Sequence, residues 1–291
     1  MMQKSVNGKL IGAVAILSAM AISTLACNIN AVLNPNQGEG NGAVQAVEDS
    51  PQPPAEAQAT DVPPTDAPDI SYEGVSFSYD EAIAQFVNVE TIAAVTDGEG
   101  PSWAVAPEHY RFSFVDYALA DRFHEARILI YPTAEFEAAN PQAANVVAAL
   151  KAVLQSKPTS TAENLPFLPI WNAGALIQTN LGYVDFPGGS GVRYLTQHGQ
   201  AYWPINNHDL FYTFQGLTSD GQYYIAAILP VSNPVLQETG EAIPGGDFQA
   251  FGDTFQVYVE GIKILLDGQP NNSFIPDLSL LDAIFQSLRI E

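Results

Sequence analysis

The chain has one cysteine, Cys27, in 291 residues. No disulfide can form within it, so a folded domain of this length must be held by its own core. Basic residues are also scarce: 10 Lys and Arg stand against 32 Asp and Glu, for a net charge of −22. Two Lys and seven acids precede Ile70, which leaves residues 70–291 with 8 basic and 25 acidic groups, or −17. Nucleic acid is excluded as a partner, because holding a phosphate backbone takes clustered Lys and Arg. Direct contact with anionic lipid headgroups is disfavoured for the same reason. The acidity suits solubility, with attraction for cations such as Ca²⁺ as the sharper reading. The apolar run Leu10–Ile22, 13 residues long, falls short of the roughly 20 that a membrane helix needs.

Signatures of catalysis are missing too. Pro187-Gly-Gly-Ser-Gly191 is no nucleophile elbow, because position 192 is Val, and no phosphate-binding loop, because no Gly-Lys-Ser/Thr follows. It reads as a hairpin turn, with a backbone nest for an anion as the alternative. The histidines at 109, 124, 198 and 208 contain no i, i+4 pair of the kind that holds a metal on a helix. His198 and His208 could converge only across neighbouring strands, with Asp209 as a further ligand. Asp116, Asp121, Glu125, Glu135 and Glu137 are close in sequence, but the Asp-x-Asp-x-Asp-Gly calcium pattern is absent. A glycosidase pair needs two facing carboxylates, which sequence does not reveal. No catalytic residue, metal ligand or cofactor is therefore assigned.

What is present begins at the N-terminus. Lys4 and Lys9 precede a 13-residue uncharged run, Leu10–Ile22, and then Ser23-Thr-Leu-Ala-Cys27. This is the order of a secretory signal. Thr24-Leu25-Ala26-Cys27 resembles a bacterial lipobox. The resemblance implies cleavage after residue 26, diacylation of Cys27, and a protein anchored to the membrane by its lipid on the extracytoplasmic side of the cell envelope. Two or more acyl chains suffice for stable anchoring. Residues 28–69, rich in Pro, Ala, Gln and acids, cannot bury enough apolar surface to order themselves. They read as a linker spanning about 35 Å as a coil and roughly 130 Å when extended.

A single globular domain is expected over 70–291. Strands are predicted over 72–79, 110–115 and 127–131, the last ended by Pro132. Asn140-Pro141 opens a helix that Lys157-Pro158 closes. Hairpins are expected for 176–186 with 192–196 and for 210–217 with 222–229, the second turning at Asp220-Gly221. Phe248, Phe251, Phe255, Tyr258, Val259, Ile262 and Leu266 form one apolar stripe, and Leu278, Leu281, Ile284, Phe285 and Leu288 a second. The fold class is α+β: an antiparallel sheet built from hairpins, packed against one internal and two C-terminal helices. The opening Glu73-Gly-Val-Ser-Phe-Ser-Tyr79, the sheet and the final helix resemble the PsbP/Mog1-like domain. That resemblance implies a fold and no activity.

The richest stretch is Tyr194–Asp209. Gln197, His198, Gln200, Asn206, Asn207 and His208 surround Tyr202 and Trp203, with no charge before Asp209. Rings beside neutral amides suit stacking and hydrogen bonding of a sugar or peptide. The competing reading is a loop that anchors the core, with Trp203 buried and the amides closing turns. Three functions follow for an envelope domain of this kind: capture of a carbohydrate, peptide or envelope-protein partner; hydrolysis of polysaccharide or peptide; and assembly of a larger envelope complex.

Overall fold

The computed structural model describes residues 70–160 and 164–291. The expected signal segment 1–26, the expected lipidation site Cys27 and the expected linker to residue 69 lie outside the described residues. The fold is α+β, with all sheet pairing antiparallel. A three-stranded sheet holds β1 (Ile70–Tyr72), β2 (Val75–Phe77) and β10 (Arg289–Ile290), ordered β1-β2-β10. The stretch 72–79, expected as one strand, is thus part of a hairpin. Glu73 and Gly74 turn it with φ of 46° and 81°, the left-handed pair that matches strand twist in a two-residue loop.

The main sheet has seven strands: β3 (Phe86–Ile92), β4 (His109–Val115), β5 (Arg127–Pro132), β6 (Gly174–Phe186), β7 (Gly189–Gly199), β8 (Phe211–Thr218) and β9 (Tyr223–Pro230). Their spatial order is β3-β4-β5-β9-β8-β7-β6. Both expected hairpins form. The first is tighter than predicted: Pro187-Gly188 alone turns it, Gly188 supplies a φ of 88°, and Gly189-Ser-Gly191 are already strand. Those glycines admit rings, because a Cβ on Gly191 would sit 2.2 Å from the Phe214 ring. In the second, Asp220 accepts from the Thr218 hydroxyl and the Gln222 amide while Gly221 takes a φ of 74°.

Helices cover both faces. On one face lie α1 (Thr133–Ala139) and α2 (Pro141–Ser156), packing Val147 and Leu150 against Leu129, Tyr194 and Tyr224. On the other lie α3 (Phe248–Asp267) and α4 (Leu278–Ser287), packing Phe255, Leu281 and Phe285 against Leu195, Tyr212 and Phe214. Alternate residues of one strand therefore belong to different cores, as the period of two requires. The central strands β8 and β9 are covered on both faces, and β8 is buried along its whole length. Asn140 caps α2 by accepting from the Gln142 amide, as its sequence predicts. The β3 strand and α1 were not expected. β3 is a half-exposed edge with weak alternation, and α1 starts directly at the Pro132 taken as a strand terminator.

Two polar devices tie the layers together. Arg193, buried on β7, lies 3.3 Å from Asp282 of α4, whose carboxylate also accepts from Tyr212 at 2.9 Å. Burial pushes the Asp282 carboxyl up, while the Arg193 charge and the Tyr212 hydrogen bond pull it back. The second device holds the extended segment 164–173 across the α2 face. This segment contains Pro166 and Pro169, which donate no backbone hydrogen bond and so cannot complete a ladder. Side-chain amides substitute for a neighbouring strand. Gln178 accepts from the Leu165 amide at 2.9 Å and donates to the Leu165 carbonyl. Gln215 accepts from the Leu168 amide at 2.8 Å and donates to its carbonyl at 3.1 Å. Gln215 also accepts from Tyr224 and donates to Thr213, which saturates its amide in a fully buried position. Gln215→Leu leaves three buried groups unpaired and should cost about 4 kcal/mol of stability in urea titration; a loss below about 1 kcal/mol would show that water replaces the clip.

Candidate functional site

The stretch 194–209 is not one loop. Residues 194–199 belong to β7, and only from Gln200 onward does the chain leave the sheet. The strand places Gln197 and His198 on opposite faces. Gln197 faces the α3 side, where it donates to the Pro204 carbonyl and accepts from the Asn206 amide. His198 faces the α2 side, against Phe167 and Phe211.

The amides predicted to bind a ligand are mostly used to build the loop. Asn206 donates to the Pro204 carbonyl and the Asp209 carboxylate, and accepts from the Asp209 amide. Asn207 donates to the Leu236 carbonyl and accepts from the Asn233 amide. Gln197, Asn206 and Asn207 are buried, so these three are corrected from ligand contacts to turn-closing groups. Gln200 is exposed and donates to the Asn172 carbonyl. His208 pairs with Asp209 at 2.6 Å. Among the described residues no group of His, Cys, Asp or Glu is placed to hold a metal ion, and His198 and His208 do not form one.

The rings behave differently. Tyr202 is 55% exposed and Trp203 39% exposed. Phe248, expected inside the α3 stripe, is 50% exposed and lies 6.4 Å from the Trp203 ring. Tyr202 stacks on buried Phe255 at 4.7 Å and 25°. Gly240 lies beneath the Trp203 indole, and a Cβ there would fall 1.8 Å from its Nε1. The Gly240 loop is itself tied to the site, since the Asn207 and His208 amides donate to Gln237 and Glu238. Tyr202 and Trp203, both held from beneath, thus form with Phe248 an outward-facing ledge. Glu241, Asp247 and Asp253, all exposed, adjoin in sequence the residues that hold it.

On the α2 side a second aromatic group gathers around residues that sequence reading did not connect. Trp171 stacks on His124 at 4.8 Å and 12°, and both approach Phe211. Phe167 lies 4.4 Å from His198 and 4.8 Å from Trp171. The only sequence sign was Phe167-Leu-Pro-Ile-Trp171, a ring-rich segment between prolines. Burial lowers both His124 and His198 to about 4, so both imidazoles are neutral near pH 7. The His198 Nδ1 is buried and has no hydrogen-bond partner among the described residues.

No protein-family model, curated protein or solved structure matches the chain.

The neutral imidazoles generate a pH prediction. In the unfolded chain they take up protons near pH 6.5, whereas in the fold they resist until about 4. Stability from this source is complete above pH 6.5 and is lost as pH falls toward 4. The limiting loss is roughly 3 kcal/mol for each imidazole. His124→Phe/His198→Phe should flatten the fall in melting temperature between pH 6.5 and 4.5; an unchanged slope would assign the fall to other groups.

Proposed function

We propose that the protein is a lipid-anchored domain of the cell envelope, held extracytoplasmically through Cys27, that captures a neutral carbohydrate chain on the Tyr202–Trp203–Phe248 ledge. The observation that carries this reading is the exposure of three large rings, two of which, Tyr202 and Trp203, are fixed from below. Rigid amphipathic rings supply contact area at small entropic cost, and sugar rings present flat C–H faces that stack on them. The surrounding carboxylates repel anionic polymers, which favours an uncharged chain. The lipobox resemblance supports the location, and the acidic composition supports a domain held at the membrane by its tether and not by its own surface.

A role in assembling an envelope complex is the second reading. Val257, Ile264 and Leu265 favour it, because they form an exposed apolar stripe along α3.

Two measurements test the proposal. The purified domain should sediment with insoluble chitin, a neutral polysaccharide, and Trp203→Ala should abolish this while costing no more than about 2 kcal/mol of stability. Equal sedimentation of the variant, or none by either protein, would sink the ledge assignment. Separately, Cys27→Ser should move the full-length protein out of the membrane fraction. Persistence there after carbonate washing would contradict the lipid anchor.

A further inference from the structure

The groove beside His198 lies apart from the ledge, on the α2 face of the sheet. It is an open groove of about 520 Å³ between α2 and the 164–173 segment. That volume is in the range of small-molecule pockets. Its walls include Val146 and Ala149 from α2, Phe167 and Trp171 from the extended segment, and His198 from β7. Among the described residues no Asp, Glu, Lys or Arg lines it, although the described part of the chain is strongly acidic. A charged ligand would meet no countercharge there, whereas an uncharged one loses little on entry.

Polar groups in the wall are few and specific. Asn145 of α2 is exposed, and its side-chain amide makes no hydrogen bond among the described residues. The Nδ1 of His198 is buried, so the imidazole, neutral near pH 7, offers the groove only its Nε2, a donor or an acceptor according to the tautomer. The aromatic and aliphatic walls call for a flat apolar body, and the polar edge calls for a ligand with both donors and acceptors.

We infer that this groove is a second binding site, for a small uncharged planar heterocycle of the nucleobase type, recognised by the Phe167–Trp171 wall and the polar edge of His198 and Asn145. The site does not depend on the ledge: it lies on the opposite face of β7 and shares no residue with it. Its walls are set in place by the Gln178 and Gln215 clips, so the groove is formed before a ligand arrives.

The chain has three tryptophans, Trp103, Trp171 and Trp203. In a Trp103→Phe/Trp203→Phe protein only Trp171 reports, and the ledge is already impaired. Adenine, uncharged at pH 7, should produce a saturable change in Trp171 fluorescence. Ala149 is exposed on α2 and lines the groove, so Ala149→Phe should fill the space with little effect on folding. It should weaken adenine binding by more than tenfold. His198→Phe keeps the ring and removes the hydrogen-bonding edge, and should weaken binding about tenfold, the worth of one such bond. A response to adenine that does not saturate, or that survives Ala149→Phe, would overturn the site. Saturable binding of N-acetylglucosamine without adenine binding would overturn the ligand class, making the groove a sugar site. Chitin sedimentation of the otherwise native Ala149→Phe protein should be unchanged, which separates failure here from failure of the ledge.

Discussion

The buried amide of Gln215 is the interaction on which the α2 half of the molecule depends. A segment with prolines at 166 and 169 cannot join a sheet through a regular ladder. The alternative of leaving it unpaired against a buried face costs a few kcal/mol for each orphaned group. Gln215 resolves this by presenting the donor and acceptor of a peptide group from a side chain, and Gln178 repeats the solution at Leu165. Tyr194, donating to the Pro166 carbonyl, adds a third point. Everything that makes the His198 groove follows from this pinning, since Phe167 and Trp171 have their positions only because the segment does.

The same dependence explains what sequence could show. Local signals survived: the Asn140 cap, the Asp220-Gly221 turn and the amphipathic stripes of α3 and α4 each encode their structure within a few residues. Signals that need distant partners did not. Nothing near Gln215 announces that its partner is Leu168, 47 positions away. β3 is ordered by β4 alone on an exposed edge, and its own alternation is weak. The hairpin over 70–77 was hidden because β2 is completed by β10 from the far end of the chain.

The stretch 194–209 shows how composition misleads about location. Its amides and rings are adjacent in sequence, and a loop would have kept them together. A strand separates neighbours instead. One position decides whether a side chain meets α2 or α3, so Gln197 and His198 serve different cores. Two of the buried amides, Gln197 and Asn206, then went to the loop's own backbone, because a sharp path through Pro204 leaves carbonyls and amides that water cannot reach, and the third, Asn207, went to the neighbouring backbone at Asn233 and Leu236. The rings, which have no such obligation, remained for the surface beside Gln200.

Whether exposed rings can bind tightly depends on how little freedom they lose. A tryptophan free to rotate on a loop must give up side-chain entropy on contact, at about 0.5–1.5 kcal/mol for each immobilised side chain. Here that cost is already met in folding. The indole of Trp203 lies so close over Gly240 that even a methyl group there would collide with it, and the Gly240 segment is hydrogen-bonded to the loop that carries the indole. Tyr202 is fixed by its stacking on Phe255, which is itself part of the core. The glycine is therefore as much a determinant of the ledge as the rings it supports. Any larger residue at 240 would tilt the indole while leaving all three rings in the sequence.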